Sequence, residues 1–210
     1  MRSVEYHYTP SENIELILTK GQPRSYPWHM HLRHWTVGQV RSGEAFLTTR
    51  TATRVLYAGQ RFIVRPYEPH RLDIAAGSSL LVLCLKDTGA RKSESGKERS
   101  LLAASVRALR ERIERNPDEP LHIEQMAAYA GYSKWHFLRA FQKVVGMTPH
   151  AFQTFCRIRL LRRLLRADTA SSLAAVSAGF SDQSHMHKVF RLHHAITPGE
   201  FKRASFKLAL

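Results

Sequence analysis

Between residues 14 and 86 the apolar positions come in short runs rich in β-branched and aromatic side chains: Ile14–Leu18, Thr36–Val40, Ala45–Thr48, Arg54–Tyr57, Arg61–Val64 and Ser79–Leu85. Gly43, Gly59 and Gly77 punctuate several of them. Short strands at that spacing, separated by turn signals, predict a small all-β barrel or sandwich. Residues 88–97 then lose all apolar periodicity and predict a polar linker. Beyond it the period changes to that of helices, beginning with Leu101, Leu102, Val106, Leu109 and Ile113. The chain therefore divides into a β-rich part at 1–87, a linker at 88–97 and a helical part at 98–210.

The helical part repeats itself. Gly131-Tyr132-Ser133 matches Gly179-Phe180-Ser181 at an offset of 48. Further on the offset is 49: Phe141 with Phe190, Thr148-Pro149 with Thr197-Pro198, and Phe152 with Phe201. In the first copy Ile123, Met126, Ala127 and Ala130 form one apolar helix face, Gly131 is suited to end that helix, and Ser133 to cap the next. That next helix turns Phe137, Ala140, Phe141 and Val144 inward, with Lys134, Trp135, Arg139 and Gln142 outward. In the second copy Met186, Val189 and Phe190 face inward, and Gln183, Ser184, His187, Lys188 and Arg191 face outward. Two helices joined by a short Gly-containing turn predict a helix-turn-helix, here at 122–145 and again at 170–194. Between them Thr148-Pro149 starts a helix expected over 149–166, about 27 Å long. Thr197-Pro198-Gly199-Glu200 has the spacing of a capping box. Successive major-groove faces of duplex DNA lie ~34 Å apart, within reach of two units so joined.

Charge sharpens this picture. The 210 residues carry 32 Lys and Arg against 17 Asp and Glu, a formal charge of +15. From Gln125 to Ala167 there is no acidic residue, while Lys134, Arg139, Lys143, Arg157, Arg159, Arg162, Arg163 and Arg166 are basic. A cationic surface of that kind suits a phosphate backbone. Lys143, Arg159 and Arg163 also fit an ordinary solvated face. Trp135 lies outside the Phe137/Phe141 face, which favours DNA contact over core packing, and His185, His193 and His194 fit packing or surface roles. No apolar run approaches the ~18 residues of a membrane span, and the N-terminus has no apolar signal core. Cys84 and Cys156 lie in apolar stretches, where free Cys packs as a small hydrophobe. The expectation is a cytoplasmic protein with an anionic partner and no membrane partner.

Residues from about 105 to 205 resemble the DNA-binding domain of the AraC/XylS family of bacterial transcription regulators. The resemblance is carried by Gly131-Tyr-Ser-Lys-Trp-His-Phe-Leu-Arg-Ala-Phe141, Gly146-Met-Thr-Pro149, Gly179-Phe-Ser-Asp-Gln-Ser-His185 and Thr197-Pro-Gly-Glu-Phe201. It implies that the second helix of each unit enters the major groove of promoter DNA. Lys134, Trp135, Arg139 and Gln142 are then the contact residues of the first unit, and Gln183, Ser184, His187, Lys188 and Arg191 those of the second. Two positions depart from the family pattern. Leu138 stands where a polar base-reading residue is common, so it reads a thymine methyl or no base. Ser171 and Ala174 replace larger apolar residues, which implies looser packing of the second unit.

The β-rich part, over about residues 20 to 85, is similar to the cupin-like effector domain of the same family, through Tyr26-Pro-Trp-His-Met-His31, Ser42-Gly43-Glu44, Gly59-Gln-Arg-Phe-Ile-Val-Arg-Pro66 and His70. The implied fold class is α+β and multidomain: a small cupin-like β-barrel followed by an all-α domain with two helix-turn-helix motifs. The implied partners are double-stranded promoter DNA, a small-molecule or ion effector, and RNA polymerase if the protein activates; a homodimer stays open. No enzyme activity and no cofactor are expected, metal being the open case. His29 and His31, at i and i+2 on a strand, point to one face and can share an effector or a metal with His70. Cupin enzymes add a Glu after three or four further residues, where this chain has Trp35 and Thr36, although His34 can substitute. The competing reading is a metal-dependent cupin enzyme fused to a DNA-binding domain; the missing carboxylate weighs against it. A general RNA-binding protein is disfavoured by the lack of an aromatic-rich sheet signature.

Overall fold

The alternating runs become strands in the computed structural model, which describes residues 4–9, 14–87, 101–194 and 196–207; the expected linker at 88–97 lies outside the described residues. The strands are β1 (Val4–Tyr8), β2 (Ile14–Lys20), β3 (Arg24–His29), β4 (His34–Ser42), β5 (Glu44–Thr49), β6 (Thr53–Tyr57), β7 (Arg61–Val64), β8 (His70–Ile74) and β9 (Ser79–Lys86). One sheet runs β10-β1-β2-β9-β4-β7, where β10 is Ser205–Lys207, and the other runs β3-β8-β5-β6. Alternation decides which face is inside. On β9, Leu80, Val82 and Cys84 are buried, and they join Val40, Leu47, Leu56, Phe62, Leu72 and Ile74 in one core. The N-terminal part is thus all-β, two sheets around one core, as the strand spacing predicts.

Four strands, β1, β3, β8 and β10, go beyond the sequence expectation. β3 contains Pro27, which removes a ladder donor; it is tolerated because β3 is an edge strand whose register shifts between Tyr26 and His29. β8 has only two apolar positions, Leu72 and Ile74, both buried, while Arg71 and Asp73 pair on the outside at 2.7 Å.

The helices are α1 (Leu101–Arg115), α2 (Ile123–Tyr129), α3 (Lys134–Val145), α4 (Pro149–Arg166), α5 (Ser171–Ser177), α6 (Gln183–His194) and α7 (Pro198–Ala204). α4 has the bounds read from the sequence. Val106, Leu109 and Ile113 of α1, Ile123 and Ala127 of α2, and Phe137 and Phe141 of α3 are buried. One core assignment changes: Val144 is 53% exposed and Val145 is 5% exposed. The buried row of α3 follows the i, i+4, i+8 ridge 137–141–145, the ridge that helices pack into one another's grooves. Phe141 meets Phe152 of α4 edge-on at 6.0 Å.

The chain forms two compact units, residues 1–88 with 187–210, and residues 89–186, so the division falls inside α6. In the first unit β10 pairs in parallel with β1, Tyr6 opposite Ser205 and His7 opposite Phe206. Tyr6 is buried, its ring 4.9 Å from that of Phe201 and 6.4 Å from that of His194. This C-terminal strand has no apolar alternation long enough to be read from the sequence. Among the described residues no helix is long and apolar enough to cross a membrane.

Candidate nucleic-acid interface and histidine site

The two Gly-aromatic-Ser turns are built alike. Gly131 and Gly179 both lie in the left-handed region, at φ 75° and 81°. Gly131 N–H donates to Ala128 O and Tyr132 N–H to Ala127 O; one repeat later Gly179 N–H donates to Val176 O and Phe180 N–H to Ala175 O. This double closure satisfies the last carbonyls of α2 and α5 and turns the chain sharply into the next helix. The caps then differ. Ser133 Oγ accepts from His136 N–H at 3.3 Å, whereas in the second copy Asp182, not Ser181, accepts from His185 N–H at 2.7 Å. The cap has moved by one residue, which is the structural reason that the offset grows from 48 to 49. The backbone N–H of His185, then the Ser181 hydroxyl, hold the Asp182 carboxyl below its usual range. Thr148 caps α4 through Ala151 N–H, and Thr197 with Glu200 completes the expected capping box on α7.

The outward faces of α3 and α6 carry most of the residues expected there. Trp135 is 71% exposed, and Arg139, Gln142, Gln183, Ser184, Lys188 and Arg191 are also exposed. Lys134 is exposed but ion-paired with Glu124, whose carboxyl is held low by that contact. His187 departs from the outward reading: it is half-buried and its Nε2 is buried. Leu138 is half-buried.

The cationic stretch is also narrower than composition suggested. Arg157 Nε donates to Pro117 O at 2.8 Å and its Nη2 to Asp118 O at 3.4 Å, so this guanidinium braces the loop before α2. Arg159, Arg162 and Arg166 are half-buried along α4. Besides Lys134, the exposed cations between 125 and 167 are Arg139, Lys143 and Arg163. A helix half-buried by its neighbours has to spend some of its long side chains on local packing. Cys156 of α4 is buried, and burial pushes its thiol up to about 12.

In the barrel, the structure brings His29, His31 and His70 together. Their ligating nitrogens all lie within 4.8 Å of one another. His29 and His70 are direct cross-strand partners on β3 and β8, with ring centroids 4.2 Å apart. His31 follows buried Met30 just beyond β3, its ring 5.4 Å from each of the other two. The Pro66–Pro69 turn is fixed to it, since Tyr67 N–H donates to His31 O at 2.9 Å. Two of the rings are oriented by carbonyls: His29 Nδ1 lies 2.7 Å from Pro27 O and His70 Nδ1 lies 3.0 Å from Glu68 O. A carbonyl can only accept, so each Nδ1 carries the proton, and in the neutral ring each Nε2 presents a lone pair. His70 is buried, and desolvation pushes its basicity down. His34 stands outside the cluster, so it does not replace the missing carboxylate.

Comparison with known proteins agrees with this architecture. Residues 126–204 match the family model described as a helix-turn-helix domain. A helix-turn-helix transcriptional regulator of Haemophilus influenzae is 33% identical over 93 residues, 44% of this chain and 31% of its own length. The regulator MtrA of Neisseria gonorrhoeae is 32% identical over 88 residues, 41% of this chain and 29% of its own. The match thus spans about a third of those relatives. Among solved structures, apo ToxT of Vibrio cholerae superposes over 91% of this chain and 97% of its own with a TM-score of 0.61 at 11% identity. The unsaturated-fatty-acid-bound form of ToxT superposes with the same TM-score at 9% identity, over 90% of this chain and 94% of its own.

Proposed function

We propose that the chain is a regulator of the AraC/XylS type through its helix-turn-helix domain, a sequence-specific DNA-binding protein whose β-barrel responds to an effector. The observation that carries the reading is the repeated unit itself: two left-handed glycine turns with identical backbone closure, each leading into a capped helix with a polar, exposed outer face. On α3, Trp135 and Arg139 read base edges, and Gln142 and Lys143 contact the backbone. On α6, Gln183, Ser184 and Lys188 are the readers, with Arg191 on phosphate. His187 contributes only if its ring turns out. Lys134, tied to Glu124, helps to fix α3 and adds little net charge. Phosphate contacts supply affinity and the base-edge contacts supply preference.

The barrel is the sensing part. ToxT holds an unsaturated fatty acid in a chain of the same overall fold, which supports an effector role for this barrel without naming its ligand. An activating protein of this kind meets RNA polymerase at the promoter, in the cytoplasm. The curated relatives are named as transcriptional regulators, and the barrel lacks the carboxylate of cupin enzymes, so regulation is favoured over catalysis.

The test is selection of a duplex from a random-sequence pool, followed by fluorescence anisotropy on the selected and the random duplex. The wild-type protein binds the selected duplex at least about a thousandfold more tightly than random DNA. Arg139→Ala loses about 1–3 kcal/mol on the selected duplex and much less on random DNA. No enrichment in the selection, or equal loss on both duplexes, refutes base reading by α3.

A further inference from the structure

We propose that His29, His31 and His70 form a three-histidine site for a divalent transition-metal ion of the zinc class, and that this ion is the effector of the barrel. The second half of this statement rests on the regulator reading; the first rests on the barrel alone.

The geometry is that of a site built for one ion. Three nitrogens whose mutual separations do not exceed 4.8 Å leave a central point at most ~2.8 Å from each. Rotations that bring each nitrogen inward by about 0.7 Å reach the ~2.0–2.1 Å of a zinc–imidazole bond. His29 and His70 already have the orientation that ligating histidines need: Nδ1 points at a backbone carbonyl, leaving Nε2 for the ion. Those carbonyls, Pro27 O and Glu68 O, belong to the register shift of β3 and to a tight turn, and both segments are fixed by pairing to β8 and by the Tyr67 bond to His31. Rings with centroids 4.2–5.4 Å apart that converge on one point are more than packing requires.

The donor set selects the ion. Three imidazoles without a carboxylate suit zinc, cobalt, nickel or copper and disfavour magnesium, calcium and manganese, which prefer oxygen. A three-nitrogen set leaves at least one coordination position for water or a small anion. Zinc therefore binds here with an open position. As an effector, the ion joins the end of β3, the following turn and the start of β8, adding to the backbone bonds and to the Ser25 Oγ–Asp73 hydrogen bond between the two strands.

The test uses the full chain. Apo protein is titrated with zinc by calorimetry, and with cobalt(II) while its visible absorption is recorded. One ion per chain, cobalt bands of a four-coordinate nitrogen site, and at least a hundredfold weaker binding in both His31→Gln and His29→Ala support the site. Magnesium at millimolar concentration leaves the titration unchanged. His70 is buried, so His70→Gln is read only if its circular dichroism matches wild type; the cobalt spectrum of the wild-type protein needs no variant. No binding at 100 µM ion, or binding unchanged in the His29 and His31 variants, overturns the site. Anisotropy on the selected duplex then decides the effector role. A change of about tenfold or more in affinity on adding zinc, absent in His31→Gln, supports it, and equal affinity with and without zinc overturns it. Failure to bind any duplex in every form overturns the regulator reading and the effector role together, and leaves the calorimetry to decide the site.

Discussion

Gly131 and Gly179 occupy the same place in the two repeated turns, yet replacing each with alanine is predicted to have different consequences. Both have φ between 75° and 81°, so an added Cβ carries the left-handed penalty, roughly 1–2 kcal/mol, at either position. The gain from a stiffer unfolded chain, about 0.4–1 kcal/mol, is also common to both. The surroundings differ. At Gly131 a Cβ meets nothing within 4 Å. At Gly179 it would lie 2.5 Å from Asp118 Cα and 3.0 Å from Arg157 Nε. Backbone cannot yield as a flexible side chain does, and Arg157 is itself holding Pro117 O and Asp118 O. Displacing that loop adds about 1–3 kcal/mol. Gly131→Ala should therefore cost about 1 kcal/mol, and Gly179→Ala about 2–4 kcal/mol. Urea unfolding followed by the helical dichroism signal measures both, compared at constant m-value. Equal losses, or a larger loss for Gly131→Ala, would refute the claim that the second turn is packed against the loop before α2.

Arg157→Lys should lose about 1–3 kcal/mol of stability, because lysine lacks the rigid planar fork whose Nε and Nη2 reach the two carbonyls, while the salt dependence of DNA binding stays unchanged. A shallower salt slope would reassign Arg157 to the phosphate backbone. The Cys156 thiol, pushed up to about 12 by burial, should react with a disulfide reagent at pH 8 only as fast as the protein opens, with native labelling at least a hundredfold slower than in urea. Glu200 is held below the ordinary glutamate range by the Thr197 backbone N–H first and the Thr197 hydroxyl second. Its folded value is the lower one, so its stabilisation is complete above the unfolded value near 4.5 and is lost as pH falls through the folded value. A carboxyl titration by NMR should show Glu200 titrating below 4.5, and moving only part of the way back in Thr197→Ala, which removes the hydroxyl but keeps the backbone N–H; an unshifted Glu200 in the wild-type protein contradicts the capping box.

What could be read from the sequence and what could not follow from how local each signal is. The 149–166 helix was legible because Thr148-Pro149 is a local start signal and its apolar period is uninterrupted. The paired turns were legible because a glycine forced into the left-handed region must recur wherever the turn recurs. The shifted cap was not, since Ser181 and Asp182 are both good capping residues and only the backbone chooses between them. β3 was hidden by Pro27 and β8 by its two outward charges. β10 depends on pairing with β1 at the far end of the chain, a contact without local trace. For the histidines, the i, i+2 spacing of His29 and His31 predicted one shared face, and His70 joins them because β3 and β8 bring it opposite His29. Charge misled most. Eight cations in the acid-free stretch read as one surface, but Arg157 braces a loop, Lys134 pairs with Glu124, and three arginines of α4 are half-buried.

On the proposed reading, the two helix-turn-helix units, joined by α4, read duplex DNA together. Hydroxyl-radical footprinting of the full chain on its selected duplex tests it most directly. Two protected patches on one face of the DNA, about one helical turn apart, are predicted, with Arg139→Ala weakening one patch and Lys188→Ala weakening the other. A single patch in the wild-type protein, or both patches weakening together in each variant, would contradict it.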